Sequence, residues 1–234
     1  MKFALLTKSC AAVLLVQASL TAYAGRPLGT DDAGTTGASM CQVESWLARE
    51  SANSTRTLVL APACGLGDAV EIGFELARTV PDNDIRFESG LSVKWVDPAW
   101  KAGALNWGVK AWHGTAHSRQ APTWSATTSG VMGLMTWQVS DRVVVHGNLG
   151  LEKDHPSHNT EPLANLAVSW SPAPSVSLVA EMMAVRHQPT QLNVGARWWL
   201  LPERVALDVT TGRSTGTHST RTTTIGLGWY GIGW

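Results

Sequence analysis

Apolar and polar residues alternate with a period of two along most of the chain after residue 37. Segments 70–76, 143–152 and 205–210 show this clearly, because each places aliphatic side chains on one face and polar or small residues on the other. Such alternation is typical of β-strands whose two faces meet different surroundings, and a helical period fits these segments poorly. The sequence therefore predicts an all-β fold.

The pattern divides into about twelve predicted strands: 38–49, 55–64, 69–79, 85–95, 104–114, 124–138, 143–153, 162–171, 175–187, 190–200, 204–213 and 219–234. Tight turns such as 65–68 and 140–142 alternate with longer polar connections such as 113–123 and 154–161. Short periplasmic turns and longer extracellular loops produce this alternation in bacterial barrels. We predict a closed antiparallel transmembrane β-barrel with both termini on the periplasmic side.

Residues 1–24 have the features of a signal peptide. Lys2 and Lys8 precede a short apolar stretch, and Ala22-Tyr23-Ala24 provides small residues at the cleavage positions. After residue 24 no apolar run approaches the roughly 18 residues of a membrane helix. The predicted organisation is a signal peptide (1–24), an N-terminal periplasmic segment (25–37), whose position relative to the barrel the sequence leaves open, and an outer-membrane barrel (38–234).

Tryptophan is unusually frequent, with 12 residues against three phenylalanines and two tyrosines. Amphipathic rings prefer the membrane–water interface. We expect a periplasmic girdle and an outer girdle, the alternative being core filling in a soluble sandwich. The periplasmic girdle is expected to hold Trp95, Trp100, Trp107, Trp137, Trp170, Trp198, Trp199 and Trp234, and the outer one Trp112 and Trp124. Tyr230, Ile232 and Trp234 are expected on one face of the last strand.

The strand face opposite the apolar one is expected to line the lumen. Charges of both signs there predict either a salt-bridge network that braces the barrel or a polar path for solutes, and the sequence leaves both open. The predicted lumen-lining residues are Glu44, Glu71, Glu75, Arg86, Glu88, Lys94, Lys110, His146, Glu152, Glu181, Arg197 and Asp208.

Cys41 and Cys64 are placed symmetrically about the first predicted hairpin. They are therefore expected to lie opposite each other on adjacent strands, at a distance that a disulfide spans. The oxidising cell envelope favours the bond, and two unrelated thiols are the alternative.

Other chemistry-bearing residues give weaker signals. His113, His117, His155 and His158 fall in or near predicted outer loops, where a divalent metal site is possible but solvated side chains are the better expectation. Asp31-Asp32 is interpreted as a turn or cap. No catalytic or cofactor motif occurs, so we predict neither an enzyme nor a cofactor. The charge is balanced, with 18 basic and 18 acidic residues, and no basic cluster indicates nucleic acid.

The segments Arg26–Thr35 and Cys41–Trp46, with the turn at residues 65–71, resemble a family of bacterial outer-membrane putative transporters, similar to proteins of meta-pathway phenol degradation. The resemblance implies the fold and an outer-membrane location. The aromatic end of the chain is similar to that of bacterial barrels recognised by the barrel-assembly machinery. We expect a barrel in outer-membrane lipid that allows passive or facilitated passage of small solutes. The alternative is a non-conducting structural or interaction barrel.

Overall fold

The computed structural model describes residues 28–52, 54–80, 84–100, 105–216 and 219–234. The predicted signal peptide lies outside these ranges. Twelve antiparallel strands form one closed barrel in which each strand pairs with its sequence neighbours and β1 pairs with β12. The strands are β1 (Met40–Glu50), β2 (Arg56–Gly65), β3 (Val70–Val80), β4 (Arg86–Val96), β5 (Leu105–Ser118), β6 (Ser125–Ser140), β7 (Val143–Asp154), β8 (Asn159–Ala173), β9 (Val176–Val185), β10 (Gln191–Leu201), β11 (Val205–Ser214) and β12 (Arg221–Gly233).

This architecture confirms the predicted fold, strand number and order. The main differences lie at strand ends. β5 runs to Ser118 and β8 begins at Asn159, so both strands include residues expected in outer loops. One barrel end carries the short turns, the longer connection between β4 and β5 and the C-terminus, and is called the periplasmic end. The other, the outer end, carries the remaining connections, in agreement with the usual topology of such barrels.

The outward face of the barrel is apolar. Leucine, valine and isoleucine side chains are well exposed there, including Leu149 at 71% and Val194 at 56%. In water such a continuous surface would be very unfavourable, whereas lipid tails solvate it. No helix among the described residues is long and apolar enough to cross a membrane.

Most of the predicted girdle tryptophans point outward and are exposed: Trp95, Trp107, Trp124, Trp137, Trp170, Trp198 and Trp234. Trp112 and Trp199 correct the prediction. Trp112 packs inside the barrel against buried apolar residues, and Trp199 stacks edge-on against the buried ring of Tyr230. Alternation explains Trp112, since it lies two residues from Lys110 and therefore on the same face.

The last strand does not keep its aromatic residues on one face. The register between β1 and β12 shifts between Cys41 and Val43, and Gly231 in the bulge has a φ of 64°. A bulge adds one unpaired residue and re-aims its neighbours. Tyr230 precedes Gly231 and keeps the inward alternation of Thr224, so it is buried in the lumen, whereas Trp234, beyond the bulge, is exposed. The expectation that Tyr230, Ile232 and Trp234 share one face is wrong for Tyr230.

Cys41 and Cys64 are disulfide-bonded, as the sequence predicted. They are register partners on β1 and β2, close to the periplasmic end. Buried Glu44 shows that even-numbered positions of β1 face inward, so Cys41 and its partner lie on the lipid side of the wall. The bond fastens the first hairpin without entering the lumen.

Reducing this disulfide is expected to lower the free energy of unfolding by about 3 kcal/mol, because a cross-link that closes a loop of this length restricts the unfolded chain. The measurement is urea unfolding of the refolded barrel with and without reductant. A Cys41→Ser, Cys64→Ser variant, which should not respond to reductant, is the control. Intact mass must also show the oxidised form in native protein, and two freely alkylated thiols would contradict the prediction.

Candidate functional site

Residues 28–36 lie inside the barrel, and we call them the lumen segment. This corrects the expectation that residues 25–37 form a periplasmic segment. Ala33 is 1% exposed, Thr30 2% and Asp32 4%. The segment has no period of two, so it adds no strand. Its backbone instead forms hydrogen bonds with polar side chains that the strands direct inward.

The lumen segment enters at the periplasmic end. The Thr35 hydroxyl donates to the carbonyl of Asp68 in the turn between β2 and β3, and the Thr36 N–H donates to the carboxylate of Glu71 at 2.8 Å. At Gly65 the chain passes very close, since a Cβ atom there would lie 1.9 Å from the carbonyl oxygen of Gly37. Any larger residue at position 65 would displace the backbone at the entrance.

The middle of the segment packs against β6 and β8. The N–H of Ala33 donates to the Thr136 hydroxyl at 2.8 Å, and that hydroxyl also contacts Nδ1 of His146 at 2.9 Å. Ala33 forms a buried apolar cluster with Met132, Leu134 and Leu163. Burial of apolar groups and satisfied hydrogen bonds both hold the segment at this level.

Two aspartates of the segment meet two lysines of the wall. The Lys94 ammonium lies 3.0 Å from the carboxylate of Asp32 and 3.3 Å from those of Asp31 and Glu71, and Lys110 pairs with Asp31. Burial favours the neutral form of Asp31, but the charges of Lys110 and Lys94 outweigh it and lower the Asp31 pKa to about 2. Asp31 therefore stays ionised, and its contribution to docking is lost only as the pH falls from about 4 towards 2.

The far end of the segment is fixed by Glu181 of β9. Its carboxylate accepts hydrogen bonds from the N–H groups of Gly29 and Thr30, from the Thr30 hydroxyl and from the Asn193 amide, all at 2.9–3.0 Å. Leu28 packs beside it on Ala167 and Val179. The segment thus crosses the lumen, from β3 at one side to β9 at the other.

A second buried polar cluster braces the wall near β12. Arg197 forms two hydrogen bonds to Asp208, at 2.8 and 2.9 Å, and donates to the hydroxyl of Tyr230 at 2.6 Å. Tyr230 donates in turn to Glu44 at 2.6 Å. The buried guanidinium of Arg197 therefore has both an ion-pair partner and hydrogen-bond acceptors, and a buried ion requires such partners. This cluster fits the structural interpretation of the lumen charges.

A cavity of about 590 Å³ remains between the lumen segment and strands β1 to β6. Its floor is formed by the lumen segment with Lys94 and Lys110, and Glu75, Arg86 and Glu88 line it further along the strands. The deep charges are buried, whereas Arg86 and Glu88, near the outer end, have side chains 47% and 39% exposed. The cavity is a vestibule that opens towards the outer end.

The twelve predicted lumen residues occupy three environments. Seven are buried inside the barrel: Glu44, Glu71, Lys94, His146, Glu181, Arg197 and Asp208. Four are not fully buried and line the vestibule, which buried Glu44, Glu71 and Lys94 also border: Glu75, Arg86, Glu88 and Lys110. Glu152 is half-buried and shares its strand face with His146. Sequence reasoning did not select Thr136, Asn148, Asn193 or Tyr230, although alternation places Asn148 beside His146.

The candidate metal-binding histidines are only partly brought together. His113 and His155 both contact the hydroxyl of Ser129, at 2.7 and 2.8 Å. The ring of His117 packs between Phe87 and Trp124 instead. His158 lies in the turn before β8 with a φ of 60°. Within the described ranges, no three His, Cys, Asp or Glu side chains form a metal-binding group.

Residues 12–229 match the model of a family described as uncharacterised conserved protein UCP029691. The chain belongs to this family. No curated protein matches the sequence. The family description names no activity.

Several solved structures share the fold. The KdgM porin in complex with disordered oligogalacturonate has a TM-score of 0.60 at 6% identity, and 80% of this chain aligns with 98% of that one. The NanC porin has a TM-score of 0.59 at 11% identity, with the same coverage. LpxR from Salmonella typhimurium has a TM-score of 0.50 at 10% identity, covering 81% of this chain and 99% of its own. These likenesses show the fold, a closed barrel of the kind found in these porins, and none supports the resemblance to meta-pathway phenol degradation proteins.

Proposed function

We propose that the protein is a non-enzymatic outer-membrane barrel that passes small polar solutes or ions, with the lumen segment as the main constriction. The supporting observation is the outward-opening vestibule lined by charged side chains. Its volume of about 590 Å³ falls in the range of ordinary small-molecule sites. Barrels of twelve strands are intermediate between side-chain-filled and widely open types, so one segment is enough to narrow the path.

The charge of the lumen favours cations. The predicted lumen residues comprise seven carboxylates and four lysine or arginine side chains, and Asp31 and Asp32 of the lumen segment add two further carboxylates. Rings and clusters of carboxylates favour cations at close range. The KdgM porin was solved with an acidic sugar polymer, oligogalacturonate. The acidic excess here argues against such a polymer as the solute and for cations or neutral polar molecules.

The second candidate is a non-conducting barrel, and the buried docking of the lumen segment favours it. A segment held by Lys94, Thr136 and Glu181 has the satisfied contacts of a permanent structural element. Under this proposal the vestibule is a surface depression that meets partners. The barrel-assembly machinery remains a proposed partner of the terminal strand in either case.

Single-channel recording with a salt gradient tests the proposal. Glu75→Gln is expected to lower the cation-over-anion permeability ratio, because Glu75 lines the vestibule and is exposed in it. The reversal potential is measured in the full chain and in a variant without residues 28–36. Asp141→Asn, in the exposed turn between β6 and β7, removes an equal charge away from the vestibule and should leave the ratio unchanged.

Two results would count against conduction through the vestibule. An unchanged reversal potential in a conducting Glu75→Gln barrel would show that ions take another path. An absence of current from correctly folded protein, with and without the lumen segment, would favour the non-conducting barrel. Folding is checked by the shift in gel mobility on heating.

A further inference from the structure

Five arginines lie on the outward face of five neighbouring strands, and we call them the arginine band. They are Arg213 on β11, Arg221 on β12, Arg49 on β1, Arg56 on β2 and Arg78 on β3. All five are exposed. Each lies near the outer end of its strand, so the band covers one side of the barrel at a single edge of its apolar surface.

The strand register brings these like charges together. Arg49 is directly opposite Arg56, and Arg213 is directly opposite Arg221. The two pairs are adjacent, because the carbonyl of Arg221 accepts a hydrogen bond from the N–H of Ser51, two residues beyond Arg49. Like charges directly opposite each other destabilise an antiparallel pair. Two neighbouring arginine pairs therefore indicate an external anion that offsets the repulsion.

The strands themselves supply no such anion. No outward-facing position of β11, β12, β1, β2 or β3 carries aspartate or glutamate. Within the described ranges, the ion pairs formed by arginine involve Arg86 and Arg197, both on the lumen side. The five strands that carry the band therefore do not provide its counter-charge.

The depth of the band identifies the source of that charge. Leu47, Leu58 and Leu76 are 44–55% exposed, and each lies two residues deeper in the membrane than an arginine of the band. The arginine side chains therefore start where the hydrocarbon-facing surface ends. Their aliphatic stems can lie on apolar surface while the guanidinium groups reach the headgroup level.

We propose that the arginine band binds phosphate-bearing lipid headgroups of the outer leaflet. The planar guanidinium fork matches the geometry of a phosphate and can bind it through two hydrogen bonds. The acyl chains of the same lipid would contact the leucines beneath the band, and free phosphate cannot make this contact. The site is on the outside of the barrel and does not depend on conduction through the lumen.

Native mass spectrometry of the refolded barrel in detergent, with EDTA present, tests the proposal. The probes are bisphosphorylated lipid A, the same lipid without phosphates, and inorganic phosphate as competitor. Arg49→Gln with Arg56→Gln, and separately Arg213→Gln with Arg221→Gln, are each expected to weaken binding of the bisphosphorylated lipid by about tenfold or more. EDTA removes divalent cations that would otherwise bridge phosphates to carboxylates.

The matched control is Arg142→Gln with Arg204→Gln, which removes two exposed arginines from periplasmic turns and should leave lipid binding unchanged. Arg49→Lys with Arg56→Lys keeps the charge but loses the fork, so a smaller loss is expected than with glutamine. Because the glutamine variants relieve repulsion between like charges, they should fold at least as well as the parent chain.

Three outcomes would overturn the proposal. The first is equal affinity for the phosphorylated and dephosphorylated lipids. The second is an equal loss of affinity in the band and control variants. The third is complete displacement of the lipid by inorganic phosphate at the same phosphate concentration, which would show a site for a free anion. Failure of the glutamine variants to fold would also contradict the repulsion on which the inference rests.

Discussion

Deletion of residues 28–36 is expected to raise the single-channel conductance at least several-fold over that of the full chain. The reason is steric, since these residues cross the lumen from Glu71 on β3 to Glu181 on β9. No strand pairing is lost, because the deleted residues contribute none to the barrel. The barrel wall should therefore still form. The measurement is recording in planar bilayers at equal protein density.

Replacing residues 28–36 with a glycine–serine sequence of the same length separates docking from occupancy. Such a variant has the same number of residues next to the lumen. It lacks Leu28, Thr30 and the two aspartates, whose side chains contact the wall. It should give a raised but fluctuating current, because an undocked flexible chain enters and leaves the path. Equal conductance of the parent and deleted chains would show that the lumen segment is not the obstruction.

The barrel wall could be predicted from sequence because its information is local. Each strand alternates between a lipid face and a lumen face, so the strand count and the inward direction of charges such as Arg197 and Asp208 follow from a period of two. Turn lengths then fix the topology. The disulfide is equally local in this sense, since Cys41 and Cys64 are related through a single hairpin.

The lumen segment could not be predicted in the same way. Its residues have no periodicity, and its hydrogen bonds reach partners as far as 152 positions away. The adjacent pair Asp31-Asp32 was a visible signal, but a turn explains two neighbouring carboxylates equally well. The positions of Lys94 and Lys110 on adjacent strands distinguish a docked aspartate pair from a simple turn. Only the strand register shows that these two lysines lie opposite each other.

Lys94→Met is expected to release the lumen segment. Lys94 contacts Asp31, Asp32 and Glu71, and its loss leaves three carboxylates close together with one cation fewer among them. Removing one partner of a buried ion pair typically costs about 3–5 kcal/mol. Opening the hydrogen-bonded wall of a closed barrel would cost more than releasing one docked segment. The repulsion between the carboxylates should therefore be relieved by undocking of the lumen segment. The expected readouts are protease cleavage within residues 28–36 and a raised conductance.

Arg86→Met provides the control, because Arg86 faces the lumen from the same strand and its replacement also removes the cation paired with a carboxylate. Its pair with Glu88 is largely exposed, at 47% and 39%, and exposed pairs contribute only about 0–1 kcal/mol. The segment should stay docked in this variant. Asp32→Asn in the Lys94→Met background should restore part of the docking, because it removes one of the repelling charges. If Lys94→Met matched Arg86→Met in both cleavage and conductance, the buried charges would not be what holds the segment, and apolar contacts such as that of Ala33 with Leu134 would have to suffice.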